Sequence, residues 1–345
     1  MSDINIDNKA YKKKILLTGG AGYIGSHVAV ALLESGFDIV IADNLSNSSE
    51  ESLSGIRKIT RRDFPFYNID VCDRSLLVDL FEREELDAAI HLAGYKAVGD
   101  AVKSPLKYYR NNIASTTSLL EVMDNYGVRK IILSSSANVY GESSVVPVTE
   151  GCETGNCTNP YGRTKWVQEE MLWDLFTADD RWNIVILRYF NPAGAHESGL
   201  IGEMYGKFPS NIVPSLALAA NGDIPYFRVL GTGYNTPDGT GIRDYIHITD
   251  LANGHVMAIK KLYSQPNVYT YNLGTGRGYS VLETIKAFEK ASGREIPYKI
   301  EAARDGDIAE MYACSDKARE ELGWTAKYGI EDICRSAWNW HNKIY

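Results

Sequence analysis

Residues 14–27 read KILLTGGAGYIGSH, a short apolar run that leads directly into four closely spaced glycines. The apolar run has the length and composition of a buried strand, and the stretch that follows the glycines, IGSHVAVALLES, has helical periodicity. Glycines between a strand and a helix allow a tight turn because they lack a Cβ atom. The stretch therefore predicts a strand, a glycine turn and a helix as the first unit of the fold.

The same alternation continues to about residue 195. Further apolar runs, DIVIADN, FPFYNID, LDAAIHLAG, KIILSSS and WNIVILRYFN, are separated by amphipathic stretches of helical period. Continuous apolar strands that alternate with helices indicate a parallel sheet covered on both faces. The predicted fold class is α/β, a doubly wound (Rossmann) parallel sheet followed by a smaller mixed α/β domain. The predicted boundaries are an N-terminal extension over 1–13, the sheet domain over 14–190 and the smaller domain over 191–345.

The composition argues against several classes of partner and site. The chain has 36 basic and 44 acidic residues, a net charge of −8, so nucleic acid is not an expected partner. No apolar run approaches the roughly 20 residues of a membrane span, and the first residues lack the apolar core of a signal peptide. Five scattered cysteines fit a reducing compartment, so we expect a cytoplasmic protein. Cys152 and Cys157 have no second cysteine or histidine pair, so no metal site is expected.

The glycine turn has the features of a dinucleotide site. Gly19, Gly22 and Gly25 would let the backbone approach a pyrophosphate, and the following helix N-terminus would supply amides and a favourable dipole. The next strand ends in Asp43, 18 residues after Gly25, where a carboxylate can accept from ribose hydroxyls. Because Asp43 would repel a 2′-phosphate, the predicted cofactor is NAD(H) rather than NADP(H). A tight turn without a ligand is the competing interpretation.

The carboxyl ends of the neighbouring strands extend this predicted site, because such ends line the ligand crevice of a doubly wound sheet. The residues there that are predicted to border the cofactor are Asn44, Asn47, Ser48, Asp70, Val71, Leu92, Ala93 and Gly94. Asp70 has an alternative role as a turn cap before Asp73.

A second glycine cluster, Gly274-Thr-Gly276-Arg-Gly278, superficially resembles a phosphate loop. No βαβ unit surrounds it, and Ser280 with Glu283 forms a capping box directly after it. We interpret the cluster as a turn that leads into a helix.

A serine-rich strand end and a tyrosine–lysine pair form the predicted catalytic group. The fifth strand runs into Ser134, Ser135 and Ser136, and Tyr161 with Lys165 lies at the head of the next amphipathic helix. Residues four apart share a helix face, about 5–6 Å apart at Cβ, so the ammonium would stabilise a tyrosine phenolate. Tyr161 is therefore the predicted general base, and Ser136 would hydrogen-bond the substrate oxygen. An isolated pair at this spacing would instead indicate a surface helix.

Three of these motifs, TGGAGYIGSH, SSSANVYG and YGRTK, together resemble the extended short-chain dehydrogenase/reductase family. Within that family, HLAGYKAVGDAV, RYFNPAGAHESG, DGTGIRDYIHITDLANGH and YNLGTGRG are similar to the 4-epimerases of UDP-galactose and UDP-glucose. The resemblance covers the chain after Lys13. It implies an NAD-binding domain over 14–190 and a UDP-sugar-binding domain over 191–345.

The resemblance implies roles for individual residues. Tyr161 would be the base, Ser136 its hydrogen-bonding partner, and Lys165 the group that holds the nicotinamide ribose and lowers the tyrosine pKa. Other residues would border NAD, namely Tyr23, Ile24, Lys96, Asn111, Ser134, Tyr189 and Phe190. The nucleotide sugar would be bound by Lys96, Ala137, Asn138, Asn191, Asn211, Ile212, Arg243, Arg304 and Asp307.

The residues predicted for the nucleotide make chemical sense in these roles. Arg243 and Arg304 can clamp a diphosphate through charge-assisted hydrogen bonds, and Asp307 can accept from uridine ribose hydroxyls. The alternative for Arg304 and Asp307 is a surface ion pair. Around Arg228 and Leu230 we expect only backbone or aliphatic contact with uracil.

The implied reaction is oxidation of the sugar at C4 to a 4-keto intermediate, rotation of that intermediate, and re-reduction on its other face. Tyr161 would take the 4-hydroxyl proton while hydride passes to a tightly bound NAD, which is regenerated in each turnover. Ala137 and Asn138 stand where dehydratases of the family carry an Asp-Glu pair, which disfavours dehydration. Met311 lies where bulk limits access for a 2-N-acetyl group, and it predicts at most partial activity on UDP-GalNAc and UDP-GlcNAc.

Other functions and assemblies are compatible with parts of this pattern. An inactive NAD-binding sensor or scaffold would be expected to lack Tyr161 or Lys165, and both are present. Among enzymes, a UDP-hexuronate decarboxylase or an N-acetylhexosamine epimerase is the competing function. Residues 105–126 and the helix that carries Tyr161 would form a homodimer interface, as in the family, although their apolar spacing equally fits burial on the sheet.

Overall fold

The computed structural model describes residues 13–143, 145–205, 209, 211–303 and 307–344. Its strands are, in chain order, β1 (Lys14–Thr18), β2 (Asp38–Asp43), β3 (Phe66–Asn68), β4 (Ala88–His91), β5 (Lys130–Ser136), β6 (Asn183–Tyr189), β7 (Asn191–Ala193), β8 (Phe227–Leu230), β9 (Ile242–Arg243), β10 (Tyr245–His247), β11 (Val268–Leu273), β12 (Tyr279–Ser280), β13 (Tyr298–Glu301) and β14 (Glu310–Met311). Its helices are α1 (Tyr23–Glu34), α2 (Glu50–Thr60), α3 (Arg74–Arg83), α4 (Val98–Lys103), α5 (Pro105–Asn125), α6 (Pro160–Ala178), α7 (Ile212–Asn221), α8 (Ile248–Lys261), α9 (Val281–Ser292), α10 (Asp316–Leu322) and α11 (Ile330–Ile344), with a 3-10 turn at Ala137–Tyr140. Among the helices of these residues, none combines the length and apolar character that crossing a bilayer requires.

Within the described residues, seven parallel strands form the main sheet in the order β11-β6-β5-β4-β1-β2-β3. The strand order reverses around β1 and β4, so a crevice opens outside the carboxyl ends of these strands. The predicted doubly wound α/β fold is confirmed. The edge strand β11 comes from beyond residue 190, so the second half of the chain completes the sheet of the first half.

Side chains of β1 alternate between the two faces of the main sheet. Ile15 and Leu17 pack into one apolar cluster, which includes Leu251 of α8, whereas Leu16 packs into another, which includes Leu119 of α5. Ile15, Leu16 and Leu17 are fully buried, and burial of each such side chain contributes about 1.5–3 kcal/mol. The unbroken apolar run in the sequence therefore follows from helices on both faces.

The start and end of α9 follow the signals in the sequence. The Ser280 hydroxyl accepts from the Glu283 N–H at 3.0 Å, and the Glu283 carboxylate accepts from the Ser280 N–H at 2.8 Å. Gly293 ends the helix in the left-handed region, with φ of 67°. The predicted capping box is confirmed.

The part of the chain after residue 190 adds small sheets and a core of its own. β7 pairs with β10, β8 with β13, and β9 with both β12 and β14. Helices α7, α9 and α11 pack around an apolar cluster that contains Val213, Phe288 and Ile333. This mixed α/β part adjoins the main sheet directly, which places its loops beside the carboxyl ends of the parallel strands.

Candidate active site

A cleft of about 1050 Å³, open to solvent, lies beside the glycine turn at the carboxyl ends of β1, β2 and β4. We call it the glycine-turn cleft. Its wall includes every residue predicted to border the cofactor except Tyr161, Lys165, Tyr189 and Phe190. Lys96, which is also predicted to contact the sugar nucleotide, lies in this wall. Residues far apart in the sequence meet in this wall. Most of them lie at or after the carboxyl end of a strand of the main sheet, and Asn111 comes from α5.

The glycine turn leaves no space for side chains. A Cβ atom on Gly25 would lie 2.2 Å from the Gly19 carbonyl oxygen, and one on Gly19 would lie 2.7 Å from the Ala93 nitrogen. Gly19 also has a φ of 71°, which other residues rarely adopt. No side chain caps the N-terminus of α1 at Gly22. This close-packed cradle at a helix N-terminus fits the pyrophosphate of a dinucleotide.

Asp43 is held in place at the end of β2. Its Oδ2 accepts from the Ala21 N–H at 3.0 Å, and its Oδ1 accepts from the Leu45 N–H at 2.9 Å and the Ser48 hydroxyl at 2.8 Å. The residue is only 6% exposed. Ser48 therefore supports the carboxylate, which lies in the cleft wall where it suits ribose hydroxyls and would repel a 2′-phosphate.

Asp70 both lines the cleft and shapes a turn. It lies in the wall of the glycine-turn cleft, and its Oδ1 accepts from the Cys72 N–H at 2.9 Å, which shapes the loop after β3. The cap of α3 is supplied by Asp73, whose Oδ1 accepts from the Ser75 N–H at 3.0 Å. Asp70 is thus a turn residue whose position also faces the cleft.

A chain of hydrogen bonds joins the serine strand to the helix that carries Tyr161. The Tyr161 side chain lies near the Ser136 hydroxyl. Ser136 Oγ accepts from Nδ2 of Asn138 at 3.0 Å, and Asn138 Oδ1 accepts from Nδ2 of Asn159 at 3.0 Å. Asn159 is the N-cap of α6, and its Oδ1 accepts from the Gly162 N–H at 2.8 Å. Both ends of the Asn138 amide are therefore engaged within the protein.

The surroundings of Tyr161 oppose ionisation of its phenol. Burial raises the pKa of Tyr161 to about 12, and the nearby Ser136 hydroxyl has a smaller, opposite effect. Lys165 lies one turn away, but its Nζ donates to the carbonyl oxygen of Ser134 at 2.6 Å. The spacing predicts that the Lys165 ammonium faces the phenol, and the structure directs its hydrogen bond to the strand instead.

The surroundings of Lys165 shift its pKa. Burial lowers the pKa of Lys165 to about 8, and the negative charge of Glu169 opposes this effect. Glu169 forms a buried ion pair with Arg188, with 2.6 Å between Oε2 and Nη2. The sequence analysis missed Glu169, although its position four residues after Lys165 on the same helix was a usable signal.

Tyr189 and Phe190 lie at the end of β6 on different sides of the site. Oη of Tyr189 lies 2.5 Å from Nε2 of His255, whose Nδ1 lies 2.9 Å from the Leu251 carbonyl oxygen. Because a carbonyl can only accept, Nδ1 carries the proton and Nε2 accepts from the tyrosine hydroxyl. Phe190 instead packs with Ala137 in a small apolar cluster. No local sequence pattern marks His255 as the hydrogen-bonding partner of Tyr189.

The residues predicted for the nucleotide sugar come from several elements of the second part of the chain. Nδ2 of Asn191 donates to the Asp244 carbonyl oxygen at 3.0 Å, and Nη1 of Arg243 donates to a neighbouring backbone carbonyl at 2.8 Å. Arg228 is at the surface, where it pairs with Glu301 at 2.6 Å. Ile212, Leu230 and Asp307 are half-buried, and Arg304 lies outside the described residues.

Met311 adjoins the predicted sugar site. It stands opposite Arg243 in the pairing of β14 with β9. Its side chain packs in the same apolar cluster as Ala137 and Phe190, and the residue is 7% exposed. The structure therefore brings together residues that the sequence analysis assigned to the cofactor and to the sugar.

A loop that the sequence analysis did not single out completes the wall of the glycine-turn cleft. Gly202, Glu203 and Met204 line it opposite the glycine turn. Oε1 of Glu203 accepts from Nζ of Lys96 at 2.8 Å and from Nδ2 of Asn211 at 2.7 Å. No spacing or periodicity in the sequence marks this loop as part of a site.

The second glycine cluster surrounds a carboxylate of the protein itself. The carboxylate of Asp244 accepts from the N–H of Thr275 at 2.9 Å, of Gly276 at 3.1 Å and of Ala313 at 3.1 Å. Asp244 is fully buried. This arrangement agrees with the interpretation of the cluster as a structural turn.

Comparisons with known proteins point to one family. Residues 15–274 match the model of the NAD dependent epimerase/dehydratase family. The chain is 52% identical to UDP-glucose 4-epimerase from Bacillus subtilis (strain 168), over 95% of this chain and 96% of that one. It is 49% identical to UDP-glucose 4-epimerase from Homo sapiens, over 96% of this chain and 97% of that one. The solved UDP-glucose 4-epimerase from Bifidobacterium longum in complex with NAD+ and UDP superimposes with a TM-score of 0.94 at 49% identity, over 96% of this chain and 99% of that one. The chain thus belongs to the NAD-dependent epimerase/dehydratase family and, within it, to the UDP-glucose 4-epimerases.

Proposed function

We propose that this protein interconverts UDP-galactose and UDP-glucose with a tightly bound NAD that is regenerated in each turnover. The observation that carries the proposal is that two features lie at the carboxyl-terminal edge of the same parallel sheet. One is the glycine cradle with Asp43, and the other is Ser136 at the end of β5 with the Tyr161 side chain near it. The solved relative from Bifidobacterium longum, which is described in complex with NAD+ and UDP, supports the same pairing of ligands.

In this proposal NAD lies along the glycine-turn cleft. The amides at the start of α1 hold its pyrophosphate, and Asp43 accepts from the adenosine ribose hydroxyls. Lys165 holds the nicotinamide ribose, which requires its Nζ to share its hydrogen bonds between the ribose and the Ser134 carbonyl. When bound, NAD supplies a hydride acceptor for C4 of the hexose and returns the hydride to the other face.

Tyr161 acts as the base that takes the proton from the sugar 4-hydroxyl. Burial raises the pKa of Tyr161 to about 12, so a nearby positive charge is needed to make the phenolate accessible. The ammonium of Lys165, one helical turn away, is the protein group of that sign. Ser136 donates to the substrate oxygen and shares the proton with Tyr161.

Residues 191–345 hold the nucleotide sugar, and residues 14–190 hold NAD. Arg243 and Arg304 clamp the diphosphate, Asp307 accepts from the uridine ribose, and Asn191 and Asn211 contact the sugar nucleotide. Holding the nucleotide firmly leaves the hexose free to rotate between the two hydride transfers. Specificity then resides mainly in the uridine diphosphate.

Because of Met311, the protein has at most partial activity on N-acetylated substrates. Its buried side chain packs on Ala137 and Phe190 beside Arg243, so a 2-N-acetyl group would have to displace it. Methionine is flexible, and partial accommodation follows from that flexibility.

We also propose a cytoplasmic homodimer. All five cysteines are free thiols within the described residues, which suits a reducing compartment. The helices α4 and α5 expose large apolar side chains, with Val102 60% and Leu106 81% exposed. Such a surface is typical of an interface, and a second copy of the chain would cover it.

Incubation of the purified protein with UDP-galactose, without added NAD, tests the proposed function. We expect UDP-glucose to form, and we expect NAD to be released when the protein is denatured. Absence of both would reject the proposal. Decarboxylation of a UDP-hexuronate in place of epimerisation would favour the competing enzyme.

A further inference from the structure

Glu203 lies in the wall of the glycine-turn cleft between a residue assigned to the cofactor and a residue assigned to the nucleotide sugar. Its Oε1 accepts from Nζ of Lys96 at 2.8 Å and from Nδ2 of Asn211 at 2.7 Å. The Glu203 side chain is 14% exposed, whereas that of Lys96 is 48% exposed. The Glu203 carboxylate is therefore more shielded from solvent than the lysine it contacts.

The last helix of the described chain holds the backbone of Glu203. Nε1 of Trp340 donates to the Glu203 carbonyl oxygen at 2.9 Å. A Cβ atom on Gly202 would lie 2.6 Å from the Trp340 ring, so the loop packs against the indole with no space between them. The position of Glu203 is thus set by contacts that involve neither Lys96 nor Asn211.

Asn211 provides an independent sign that the contact with Glu203 matters. It is the N-cap of α7, where an asparagine side chain usually accepts from helix amides, yet it makes no such hydrogen bond. Loss of an N-cap hydrogen bond of this kind costs about 1 kcal/mol of helix stability. Because Nδ2 donates to Glu203, the orientation of the amide is determined, and Oδ1 is left as the acceptor for another group.

We propose that Glu203 is a positioning residue that holds Lys96 on the cofactor side and Asn211 on the nucleotide-sugar side in fixed relation to each other. This inference rests on the proposed function, which assigns Lys96 and Asn211 to the two ligands. A half-exposed ion pair such as that of Lys96 and Glu203 adds little to stability. The effect of Glu203 is therefore on ligand binding and not on folding.

Titration of UDP-glucose into the NAD-containing protein, followed by calorimetry, tests this inference. All variants carry Tyr161→Phe, which slows conversion during the measurement. We expect Glu203→Ala to weaken binding about tenfold, the effect of one lost charge-assisted contact, and to lower the NAD content of the purified protein. Glu203→Gln should weaken binding less, because its amide oxygen still accepts from Asn211.

A double variant separates positioning from a general loss of structure. Since part of the effect of Glu203 passes through Asn211, Glu203→Ala combined with Asn211→Ala should weaken UDP-glucose binding by less than the sum of the two single effects. Glu197→Ala is the matched control, because Glu197 is an exposed carboxylate of the same loop. If Glu203→Ala proves unstable, the same comparison is made with Glu203→Gln.

Unchanged binding in both Glu203 variants, or effects that add fully in the double variant, would overturn the inference. The binding comparison does not depend on turnover. A wild-type protein that binds UDP-glucose but converts no UDP-galactose would therefore count against the proposed function alone.

Discussion

The ammonium nitrogen of Lys165 lies 2.6 Å from the carbonyl oxygen of Ser134, and this contact ties α6 to the end of β5. Lys165 is nearly fully buried, so its charge is held in a poorly solvated place. Burial lowers the pKa of Lys165 to about 8, with Glu169 acting in the opposite direction. The positive charge of Lys165, which the proposed mechanism assigns to the activation of Tyr161, is therefore present at neutral pH and is lost in mildly basic solution.

The buried lysine should leave a signature in the pH dependence of stability. The folded chain loses the Lys165 proton near pH 8, whereas the unfolded chain keeps it up to about the ordinary value of 10.5. Between these values the unfolded chain binds more protons, so this group makes the free energy of unfolding rise with pH. From about pH 7.5 to about pH 9, we expect wild type to gain about 1 kcal/mol relative to Lys165→Met. Denaturant unfolding of NAD-free protein measures this gain, and a constant difference would contradict the lowered pKa.

Tyr161→Phe removes the hydroxyl and keeps the ring, so it separates chemistry from packing. We expect kcat to fall by roughly 10²–10⁴, the usual contribution of a general base, with the fold and the NAD content unchanged. The rate of UDP-glucose formation from UDP-galactose measures the effect. Tyr126→Phe is a suitable control, because Tyr126 is exposed at the end of α5. A near-normal rate in Tyr161→Phe would remove this residue from the base role.

Asn138 should act on the orientation of Ser136. Its amide bridges Ser136 and Asn159, so Asn138→Ala would break the chain that links the serine to the helix of Tyr161. We expect kcat to fall about tenfold, as for one lost hydrogen bond, while the affinity for UDP-glucose stays within about twofold. Steady-state kinetics and calorimetry measure the two quantities, with Asn125→Ala at an exposed site as the control. A loss of affinity with kcat unchanged would instead indicate direct contact of Asn138 with the sugar.

The glycine cradle predicts a sharp contrast between two Gly→Ala variants. In Gly25→Ala the new Cβ would lie 2.2 Å from the Gly19 carbonyl oxygen, so the turn must open and the protein should be purified without NAD. In Gly99→Ala nothing lies within 4 Å of the new atom, and alanine favours the helix α4 by about 0.5–1 kcal/mol. The absorbance of NAD released on denaturation distinguishes the variants. NAD retained in Gly25→Ala at the wild-type level would contradict the cradle.

The wall of the glycine-turn cleft could be predicted because many of its residues lie at or just after strand ends. Asp43, Ala93 and Ser134 come at the ends of β2, β4 and β5, and the carboxyl ends of parallel strands meet at one edge of the sheet. Glu203 follows no strand of the main sheet. Its place in the wall depends on contact with Trp340, far along the chain, and no local periodicity records such a contact.

Side-chain direction was harder to predict than backbone position. The spacing of Tyr161 and Lys165 correctly indicates a shared helix, yet the ammonium donates to the Ser134 carbonyl. Which group the Lys165 ammonium contacts depends on the acceptor that the packed strand presents. The carboxylate of Asp244 in the second glycine loop depends in the same way on tertiary packing.

Met311 gives the prediction that bears most directly on substrate choice. It is buried against Ala137 and Phe190 beside Arg243, and Met311→Ala would open space there. We expect the ratio of activity on UDP-GalNAc to activity on UDP-galactose to rise roughly tenfold, since small changes in pocket volume shift discrimination by about this much. The variant should also lose about 2–5 kcal/mol of stability, so Met257→Ala, at a partly buried site in the main core, serves as a control for destabilisation. A ratio that stays at the wild-type value in Met311→Ala, measured with both substrates at saturation, would show that another residue limits access of the acetyl group.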